Sequence, residues 1–501
     1  MVPRILIVGG GYAGFYTAMG LEKWLNRGEA EIVVVDPLPY MTYQPFLPEV
    51  AAGSIEPRHA VVSLRRHLYK SKVITASVTG IDHKTKTATI TPELGEPWEI
   101  EYDILVVTAG SVSRTFPIPG VADEAIGLKT IEEATAIRDR VIANFSRAAN
   151  LPAGPERDRL LTFTVVGGGF AGIEIFGELR SLASALLSYY PDLSFDDTKF
   201  HLIEAMGRIM PEVSLPTSKW VLKNLAQRGA EVHLDTQLSS AVGGVIELST
   251  GETFESDLIV WTAGVMANPV LKGTDLPLDE RGRLRVGADL RVQDEDGPIA
   301  DVWGAGDVCA VPDLTGHGVG GFCVPNAQHA VRQGKLMAKN IVGVMRGDAP
   351  VEYRHESLGV VASTGLGEGV FQSGKIAIKG VPAWFMHRGY HGLAIPTYER
   401  KIRVISGWVG NFVLGRDMVQ LEAREHPRVA FETFASRPKP PVAAEPAPAA
   451  VSTTEAAKKP TRARRKPAAE TAPPELPGAK GVEAPVYANP APESEPAPAK
   501  S

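Results

Sequence analysis

Cysteine is scarce in this sequence, which has only Cys309 and Cys323 among 501 residues. Two thiols cannot build a disulfide framework, so we expect a protein of a reducing compartment. No run of about 18 apolar residues occurs, which argues against a membrane-spanning helix. A strand-like run, Ile5–Val8, begins almost at the first residue, where a signal peptide would need a charged segment and a long apolar one.

A strong charge of one sign is also missing. The formal net charge is -6, so no nucleic-acid partner is expected. Cysteine and histidine nowhere follow the spacing of metal ligands, and the sequence predicts no metal site. Apolar residues make up 44% of the chain, as in ordinary globular proteins. A chain of this length is too long for a single hydrophobic core, so several domains are expected.

The composition changes sharply near Ser436. From there to Ser501 the chain consists mainly of Pro, Ala, Glu, Lys and Thr, with few large apolar residues. Such a segment cannot bury enough apolar surface to offset its ordering entropy, and we predict that it is disordered. A basic cluster, Lys458–Lys466, lies within it. A solvated tail is the favoured interpretation of this cluster, ahead of a contact with lipid or nucleic acid.

A glycine loop follows the first predicted strand. Gly9, Gly11 and Gly14 have the spacing G-x-G-x-x-G, and the next strand ends at Asp36. The first glycine permits a tight turn, the second lets the backbone approach a pyrophosphate, and the third allows the helix to pack on the strand. The helix N-terminus offers free N–H groups to phosphate, and the carboxylate can accept hydrogen bonds from a ribose. These features together predict a dinucleotide site.

A second loop repeats the pattern. Gly167, Gly169 and Gly172 hold the three glycine positions, and Glu204 ends the following strand. An acid at this place favours the ribose 2′-hydroxyl of NAD over the 2′-phosphate of NADP, although Arg208 lies nearby. Glu174 follows the last glycine, and its spacing fits two roles equally well. It is either a carboxylate stabilised by the helix dipole or a contact to the nicotinamide end of the ligand.

Three further segments have the pattern of elements that close such sites. Tyr102–Ser111 and Asp257–Val265 are buried strand patterns that end in Ala-Gly, where small residues allow close approach of a ligand. Asp301–Asp307 runs into a glycine turn that ends in an acid. Asp307 is placed either to bond the ribityl chain of a flavin or to bond its own turn.

These motifs, in this order, resemble the two-dinucleotide-binding flavoproteins, in which the first loop takes FAD and the second takes NAD(P)H. Within that superfamily the chain is most similar to the type II NADH:quinone oxidoreductases. Three segments carry this resemblance: Trp261–Pro269, Gln44–Gly53 and Ala327–Ala330, which matches the first half of an A-Q-x-A-x-Q quinone-site signature. The likeness covers residues 4 to about 415. It implies hydride transfer from NADH to FAD, then transfer of two electrons to a lipid quinone, menaquinone or ubiquinone, without proton pumping.

The motifs and the resemblance together assign the site residues. Those expected at FAD are Gly9, Gly11, Tyr12, Ala13, Gly14, Asp36, Pro45, Val78, Ala109, Gly110, Asp307, Ala327, Gln328 and Lys379. Those expected at NADH are Gly167, Gly169, Phe170, Ala171, Gly172, Glu174, Glu204, Ala263 and Gly264. Those expected to act in catalysis are Glu174, Gln328 and Arg332.

Two departures from the family pattern stand out. The second glutamine of the quinone signature is replaced by Arg332, which would share a helical face with Gln328. The sequence pattern of the family's C-terminal pair of helices is also weak, because the apolar run is interrupted by His387, Arg388, His391 and Pro396. The segment from Arg400 to Arg416 has a basic, amphipathic pattern. It fits membrane contact and packing on the core equally well on pattern alone. At a membrane, we expect the headgroup boundary to take up Trp384, Phe385, Trp408 and Phe412 and anionic lipid to meet Arg400, Lys401 and Arg403.

The sequence therefore predicts an α/β fold with two Rossmann-like dinucleotide-binding domains, for FAD and NADH, a C-terminal amphipathic membrane-associating region and a disordered tail. The expected boundaries are 1–116 and 285–380 for the FAD-binding domain, 117–284 for the NADH-binding domain, 381–435 for the membrane-associating region and 436–501 for the tail. The resemblance implies peripheral attachment to anionic lipid on the cytoplasmic side of the cell membrane, and it is compatible with a homodimer.

Other functions remain open at this point. One is not enzymatic: an NADH-sensing interaction protein whose tail recruits partners, which turnover with quinone would distinguish. A soluble NAD(P)H-dependent flavoprotein reductase with a different acceptor would use the same two sites. A sulfide:quinone reductase-like enzyme would need cysteines poised at the flavin, and Cys309 and Cys323 are better explained as buried and inert.

Overall fold

The computed structural model describes residues 2–316, 318–357 and 359–420. The predicted disordered tail, its basic cluster and the last part of the predicted membrane-associating region, 421–435, lie outside the described residues. The helices are α1 Tyr12–Trp24, α2 Leu47–Ala51, α3 Leu64–His67, α4 Val121–Glu124, α5 Ile131–Ala148, α6 Pro155–Leu160, α7 Phe170–Leu186, α8 Leu215–Gln227, α9 Ala327–Met345, α10 Val381–Ala394 and α11 Tyr398–Leu414.

Within residues 2–316, 318–357 and 359–420, the strands fall into eight sheets. In the first half of the chain they are β1 Arg4–Val8, β2 Glu31–Asp36, β3 Tyr40–Thr42, β4 Val61–Ser63, β5 Ser71–Thr75, β6 Ser77–Asp82, β7 Thr87–Thr91, β8 Trp98–Glu101, β9 Ile104–Val107, β10 Ser111–Ser113, β11 Ala125–Gly127, β12 Thr162–Val166 and β13 Lys199–Ile203. In the second half they are β14 Ala230–His233, β15 Leu238–Ser240, β16 Val245–Leu248, β17 Thr253–Glu255, β18 Leu258–Trp261, β19 Val265–Ala267, β20 Leu284–Arg285, β21 Arg291–Gln293, β22 Pro298–Gly304, β23 Cys309–Ala310, β24 Val360–Gly365, β25 Glu368–Ser373 and β26 Ile376–Lys379.

A six-stranded sheet with the order β21-β22-β9-β1-β2-β5 contains the first glycine loop. All its strands run parallel except β21, which pairs antiparallel with β22. The three strands β9, β1 and β2 bury most of their residues, whereas β22 buries only its last three, as is typical of a parallel sheet covered on both faces at its centre. The sheet takes strands from both ends of the chain.

A five-stranded parallel sheet with the order β11-β18-β12-β13-β14 contains the second glycine loop. Its strands come from the part of the chain that lies between β9 and β21. The two strand–Ala–Gly segments meet beyond the two sheets, where β10 pairs antiparallel with β19. The repeated strand–loop–helix–strand unit seen in the sequence is therefore built twice, and the ends of the two units are joined. This confirms the predicted α/β fold with two Rossmann-like units.

The C-terminal part is a three-stranded antiparallel sheet, β24-β25-β26, followed by α10 and α11. Helix α10 runs without a break through His387, Arg388 and His391, although the sequence suggested that these residues interrupt an apolar run. All three side chains point into the protein, and His387 is 1% exposed. The polar residues are therefore the inner face of the helix, and its apolar residues lie on the outside.

Candidate functional site

The first glycine loop lies between β1 and α1. At two of its three glycines a side chain would clash with the backbone (closed positions), and at the third there is free space (an open position). A Cβ atom on Gly14 would come within 1.8 Å of the Gly9 carbonyl oxygen, and one on Gly9 within 2.6 Å of the Thr108 carbonyl oxygen. A Cβ on Gly11 would meet no protein atom within 4 Å. The closed positions hold helix against strand, and the open one faces the space where a ligand can approach the backbone.

Asp36, at the end of β2, is held by backbone N–H groups. Gly10 N donates to Asp36 Oδ2 at 2.6 Å, and Leu38 N donates to Asp36 Oδ1 at 2.7 Å. Burial raises the pKa of Asp36 while these two bonds lower it, and the net direction is upward. The carboxylate is thus fixed in orientation beside the loop, with lone pairs left to accept hydrogen bonds from a ribose.

A cavity of about 380 Å³ runs along the loop. The predicted FAD residues that line it are Gly9, Gly11, Tyr12, Ala13, Asp36, Val78, Ala109, Gly110, Asp307 and Ala327. Four predicted FAD residues do not line the cavity: Gly14, Pro45, Gln328 and Lys379. Pro45 directly follows Gln44, which does line it, and Gly14 packs against the backbone of Gly9. Lys379 lies elsewhere, with its Nζ 5.3 Å from the ring centre of Trp220.

Sequence reasoning missed a lysine in this cavity. Lys129 lines the wall, donates from Nζ to Ser111 Oγ at 2.9 Å and lies 3.9 Å from Asp307 Oδ2. Ser111 also donates to Asp307, at 2.9 Å. Lys129 stands just before α5, whose capping box pairs Thr130 with Glu133. That T-x-x-E pattern is visible in the sequence and marks the turn, but only the fold shows that the turn faces the cavity.

The cavity fits an extended flavin dinucleotide. A fixed acid lies beside the glycine loop, and the N-terminus of α1 points at the loop. The hydroxyl of Tyr12 is buried without a partner in the wall, and Asp307 lines the same cavity. Helix α9 begins at Ala327, in the same wall, so its free N–H groups can bond a ring carbonyl. These residues are consistent with FAD.

The second loop has the same geometry. A Cβ on Gly172 would come within 1.8 Å of the Gly167 carbonyl oxygen, whereas one on Gly169 or Gly264 would meet no protein atom within 4 Å. Glu204 Oε2 accepts from Gly168 N at 2.5 Å, and its Oε1 accepts from Met206 N at 2.8 Å. The acid therefore takes the position that Asp36 has in the first unit, beside an open glycine and a helix N-terminus.

Arg208, the basic residue near Glu204, is occupied by the backbone. Its guanidinium donates to the carbonyl oxygens of Met210, Pro211 and Val213 at 3.2, 3.3 and 2.5 Å. Met210 has a φ of 47°, and these bonds close the turn around it. A side chain engaged with three carbonyl groups is poorly placed to bind a 2′-phosphate.

Glu174 is the fifth residue of α7, just beyond its first turn, and does not line the cavity. Its Oε1 accepts from Ser363 N at 3.2 Å and lies 3.1 Å from Nε2 of His387. The side chain is 12% exposed, and that of His387 is 2% exposed. Glu174 therefore links α7, the helix that follows the second glycine loop, to the C-terminal helix α10.

His387 and Glu174 belong to a buried ionic cluster that sequence reasoning missed. Its other members are Glu49, Glu178, Arg388 and Arg416, with Arg388 Nη1 3.2 Å from Glu49 Oε2 and Arg416 Nη2 3.8 Å from Glu178 Oε2. Trp408 Nε1 donates to Glu49 Oε2 at 2.9 Å. Three carboxylates face two arginines, so the cluster is neutral at ordinary charges only when His387 is protonated.

The histidine is set up to hold that proton. Burial by itself lowers the pKa of His387, but the contact with Glu174 and the charges of Glu174 and Glu49 outweigh burial and the opposing charge of Arg388. The pKa of His387 is therefore raised above its ordinary value. Its neighbour His391 behaves in the opposite way, since burial and the charge of His387 lower the pKa of His391 well below the ordinary range.

The two residues of the quinone signature lie on the first turns of α9. Arg332 Nη1 donates to the Gln328 carbonyl oxygen at 2.9 Å, and Gln328 Oε1 lies 3.2 Å from Nε2 of His355. Both side chains are half-buried. Ala327 in the same turn lines the cavity, so this end of α9 connects the cavity wall to a polar, basic surface.

The thiols do not form a redox pair. Cys309 and Cys323 are both free, and Cys309 is buried. Burial raises the pKa of Cys309 well above its ordinary value and that of Cys323 to about 11. Because the thiolate is the reactive form, neither residue has the character of a redox nucleophile at neutral pH.

The outer faces of α10 and α11 are strongly apolar. The exposed large hydrophobic side chains are Val381, Phe385, Met386, Tyr390, Leu393, Tyr398, Ile402, Ile405, Val409, Phe412, Val413 and Leu414. Trp384 and Trp408, which the sequence suggested as outward-facing, instead flank Arg388, whose guanidinium lies 4.5 and 4.9 Å from their ring centres. None of the helices in the described part of the chain is long and apolar enough to cross a bilayer.

Comparison with known proteins finds one family model and many relatives. The model of the pyridine nucleotide-disulphide oxidoreductases matches residues 3–334. A probable NADH dehydrogenase of Dictyostelium discoideum is 30% identical, over 83% of this chain and 90% of the relative. The type II NADH:quinone oxidoreductase Ndh of Mycobacterium tuberculosis is 27% identical, over 82% of this chain and 89% of the relative.

A solved structure shows the same fold. NDH2 of Plasmodium falciparum, in complex with NADH, superposes with a TM-score of 0.76 at 16% identity. The match covers 84% of this chain and all of the other. Because the match covers 84% of this chain, the structural likeness extends over more residues than the family model, which ends at residue 334.

Proposed function

Because this chain belongs to the pyridine nucleotide-disulphide oxidoreductases and, within them, to the type II NADH:quinone oxidoreductases, we propose that its two nucleotide sites work in series to carry electrons from NADH to a lipid quinone. The observation that carries this proposal is the pairing of two glycine loops, each with a fixed acid, one of them opening on a cavity of about 380 Å³. Residues 1–116 and 285–380 form the FAD-binding part, and residues 117–284 form the NADH-binding part.

The residues of the first site bind and orient FAD. Gly11 admits the pyrophosphate to the N-terminus of α1, Asp36 accepts from the adenosine ribose, and Asp307 accepts from the ribityl chain. Lys129 supplies a positive charge to the same cavity. FAD held by these residues would supply the redox chemistry, namely hydride acceptance from NADH and two-electron donation to the acceptor.

The residues of the second site bind NADH and select it over NADPH. Gly169 admits the pyrophosphate, and Glu204 accepts from the adenosine ribose 2′-hydroxyl. A 2′-phosphate in that place would meet the carboxylate, and Arg208 is tied to three carbonyl groups of its own turn.

Replacing Glu204 with glutamine is expected to narrow the preference for NADH over NADPH roughly tenfold, because the charge that repels the phosphate is removed. The ratio of the two kcat/KM values measures this effect. Glu247→Gln, at an exposed position of the same unit, should leave the ratio unchanged. If the wild-type protein already uses both nucleotides equally, the carboxylate is not a selector.

Of the two hydrogens that quinone reduction needs, one enters with the hydride of NADH and the buried ionic cluster supplies the other as a proton. His387 holds a proton at the nitrogen that faces Glu174 Oε1, 3.1 Å away. Glu174 follows the last glycine of the second loop by two residues and contacts His387, so it links that proton to the NADH-binding unit. The carboxylate and the imidazole together form a proton-holding pair, and the cluster becomes electrically unbalanced when the proton leaves, which favours its return from solvent.

The half-reactions test this function. In stopped-flow measurements on the FAD-loaded protein, NADH should bleach the flavin absorbance and a water-soluble quinone should restore it. Gln328→Ala is expected to slow the second step about tenfold or more and to leave the first largely intact, because its contacts lie on the acceptor side. Gln237→Ala, at an exposed position, should change neither step. Equal losses in both steps would mean a damaged flavin site, and no reoxidation by quinone in the wild type would refute the assignment.

The outer faces of α10 and α11 hold the protein at a membrane surface. A lipid quinone stays in the bilayer, so the entrance of its site must reach that surface. The apolar side chains of the two helices point outward, while Arg388 and Arg416 fasten the helices to buried carboxylates. Of the basic residues expected at the lipid, Arg400 bonds the Arg58 carbonyl and Arg403 pairs with Glu399. Apolar insertion therefore contributes more than charge. We assign the attachment to the cytoplasmic side of the cell membrane.

Substituting serine for both Leu393 and Phe412, which are 69% and 92% exposed, is expected to reduce co-sedimentation with liposomes at least tenfold. The physical reason is that about 2 kcal/mol of apolar transfer is lost at each side chain. Leu94→Ser, at an 89% exposed position on another surface, should bind as the wild type does. Binding of the wild type should weaken with salt without vanishing. Equal sedimentation of the double variant would rule out this face as the anchor.

A further inference from the structure

Three potential metal ligands share one face of the edge strands of the NADH-side sheet. Residue His201 of β13 stands opposite Glu231 of β14, and His233 lies two residues further along β14. Because side chains alternate between the faces of a strand, Glu231 and His233 project on the same side, over His201. Sequence spacing could not show this group, since its members lie on strands about thirty residues apart.

The distances between the ligand atoms fit a tetrahedral ion. His201 Nδ1 lies 3.1 Å from His233 Nε2, and Glu231 Oε2 lies 3.6 Å from His201 Nδ1. Ligands bound to zinc at about 2.0–2.1 Å are separated by roughly 3.3 Å along the edge of a tetrahedron. The observed separations lie on either side of that value, so only small side-chain rotations are needed to converge on one ion.

Residues around the two histidines can orient the rings for metal coordination. The second nitrogen of His233, Nδ1, lies 3.7 Å from Glu252 Oε2, so a carboxylate stands behind the ring and favours a proton there. That arrangement leaves Nε2 free to coordinate, as in carboxylate–histidine–zinc groups. Phe254 stacks on the ring of His201 at a centroid distance of 3.9 Å and covers it. Access from solvent remains open at the half-exposed side chain of Glu231.

We propose that His201, Glu231 and His233 form a binding site for a divalent transition metal of the zinc type, with Glu252 orienting His233 and water completing the coordination. Two imidazoles and one carboxylate are ligands that suit zinc, cobalt and nickel. Without metal, the two imidazoles share one proton along a nitrogen–nitrogen hydrogen bond. The ion takes the place of that proton, which moves to Nε2 of His201, so both rings stay neutral and each coordinates through its unprotonated nitrogen.

The site adjoins Glu204, the acid that we propose contacts the NADH ribose. The backbone N–H of Glu204 donates to the carbonyl of His233 at 2.9 Å. The ion would join β13 to β14, and Glu252 would tie both to the hairpin β16–β17. Metal binding therefore crosslinks the strand ends that position Glu204 and stabilises the folded unit by mass action.

The test is calorimetric titration of zinc chloride into the full-length, FAD-loaded protein, carrying no histidine tag and stripped with EDTA. One equivalent should bind, and the thermal midpoint should rise with added zinc. His233→Gln should weaken binding about a hundredfold, and Glu231→Gln and Glu252→Gln about tenfold each. Cobalt in place of zinc should give the visible absorption of a tetrahedral ion.

The control is His83→Gln, which removes a histidine from another surface and should bind like the wild type. Retained FAD shows that each variant is folded; if His233→Gln loses FAD, Glu231→Gln at its exposed position carries the test. Absence of saturable binding, or binding that is equally strong in Glu231→Gln and the wild type, would overturn the proposal. Equal weakening in His83→Gln would also overturn it, because it would show non-specific binding to surface histidines.

Discussion

Alanine at Gly14 is expected to prevent the protein from folding into its yellow, FAD-bound form. The new Cβ would lie 1.8 Å from the Gly9 carbonyl oxygen and 2.7 Å from Thr108 Oγ1. The nearest of these atoms belongs to the backbone, which β1 and β9 hold in the sheet, so the clash cannot be relieved by a side-chain rotation. The yield of soluble protein and its absorbance near 450 nm measure the outcome. Normal yield and colour would show that the loop can rearrange.

Alanine at Gly11, three residues earlier, is expected to spare the fold and remove the flavin. Its Cβ would meet no protein atom within 4 Å and the residue has a φ of -67°, which alanine adopts readily. The methyl group would enter the open space where we propose that the pyrophosphate binds. We expect soluble protein with normal circular dichroism and at least tenfold weaker FAD binding.

Gly169→Ala is the matched control, since this position has the same open geometry in the second loop. It should keep FAD and lose affinity for NADH. If Gly11→Ala binds FAD as tightly as the wild type, the ligand does not approach this part of the loop. If both variants lose FAD equally, the two loops do not bind separate nucleotides.

Replacing Arg388 with methionine is expected to destabilise the protein by roughly 3–5 kcal/mol, because a buried carboxylate loses its cation. Glu49 is 1% exposed, and Arg388 lies 3.2 Å from it between the rings of Trp384 and Trp408. The substitution removes the charge while keeping much of the side-chain volume. The thermal midpoint of the FAD-loaded protein should fall by several degrees, and quinone reduction should be lost as α10 loosens.

Arg403→Met provides the comparison, because it makes the same substitution on the neighbouring helix α11. Arg403 pairs with Glu399 at 3.0 Å on the surface, where such a pair contributes about 0.3–0.5 kcal/mol. Its midpoint should stay close to that of the wild type. Equal, small effects of the two substitutions would mean that water screens the Glu49 site and that the cluster does not anchor the C-terminal helices.

The sequence by itself determined both nucleotide-binding units. Each is a local pattern in which a strand, a glycine loop and a helix follow one another within about 25 residues. The roles of Gly9, Gly11 and Gly14 depend on backbone geometry that neighbouring residues impose. Asp36 and Glu204 were recognisable because a strand end lies at a fixed place relative to the loop. Nothing distant in the chain is needed to specify these features.

The tertiary structure alone decided the role of the C-terminal helices. In the sequence pattern of these helices, His387 and Arg388 interrupt an apolar face, and Trp384 and Trp408 are expected to point outward. The acidic partners of His387, Arg388 and Trp408 are Glu49 and Glu174, which lie more than two hundred residues earlier and come from other elements. Burying a charge is costly unless an opposite charge meets it, so these side chains turn inward and the apolar side chains of the helices are left outside. Such long-range pairing leaves no periodic signal in the sequence, and Lys129 and the His201–His233 pair escaped notice for the same reason.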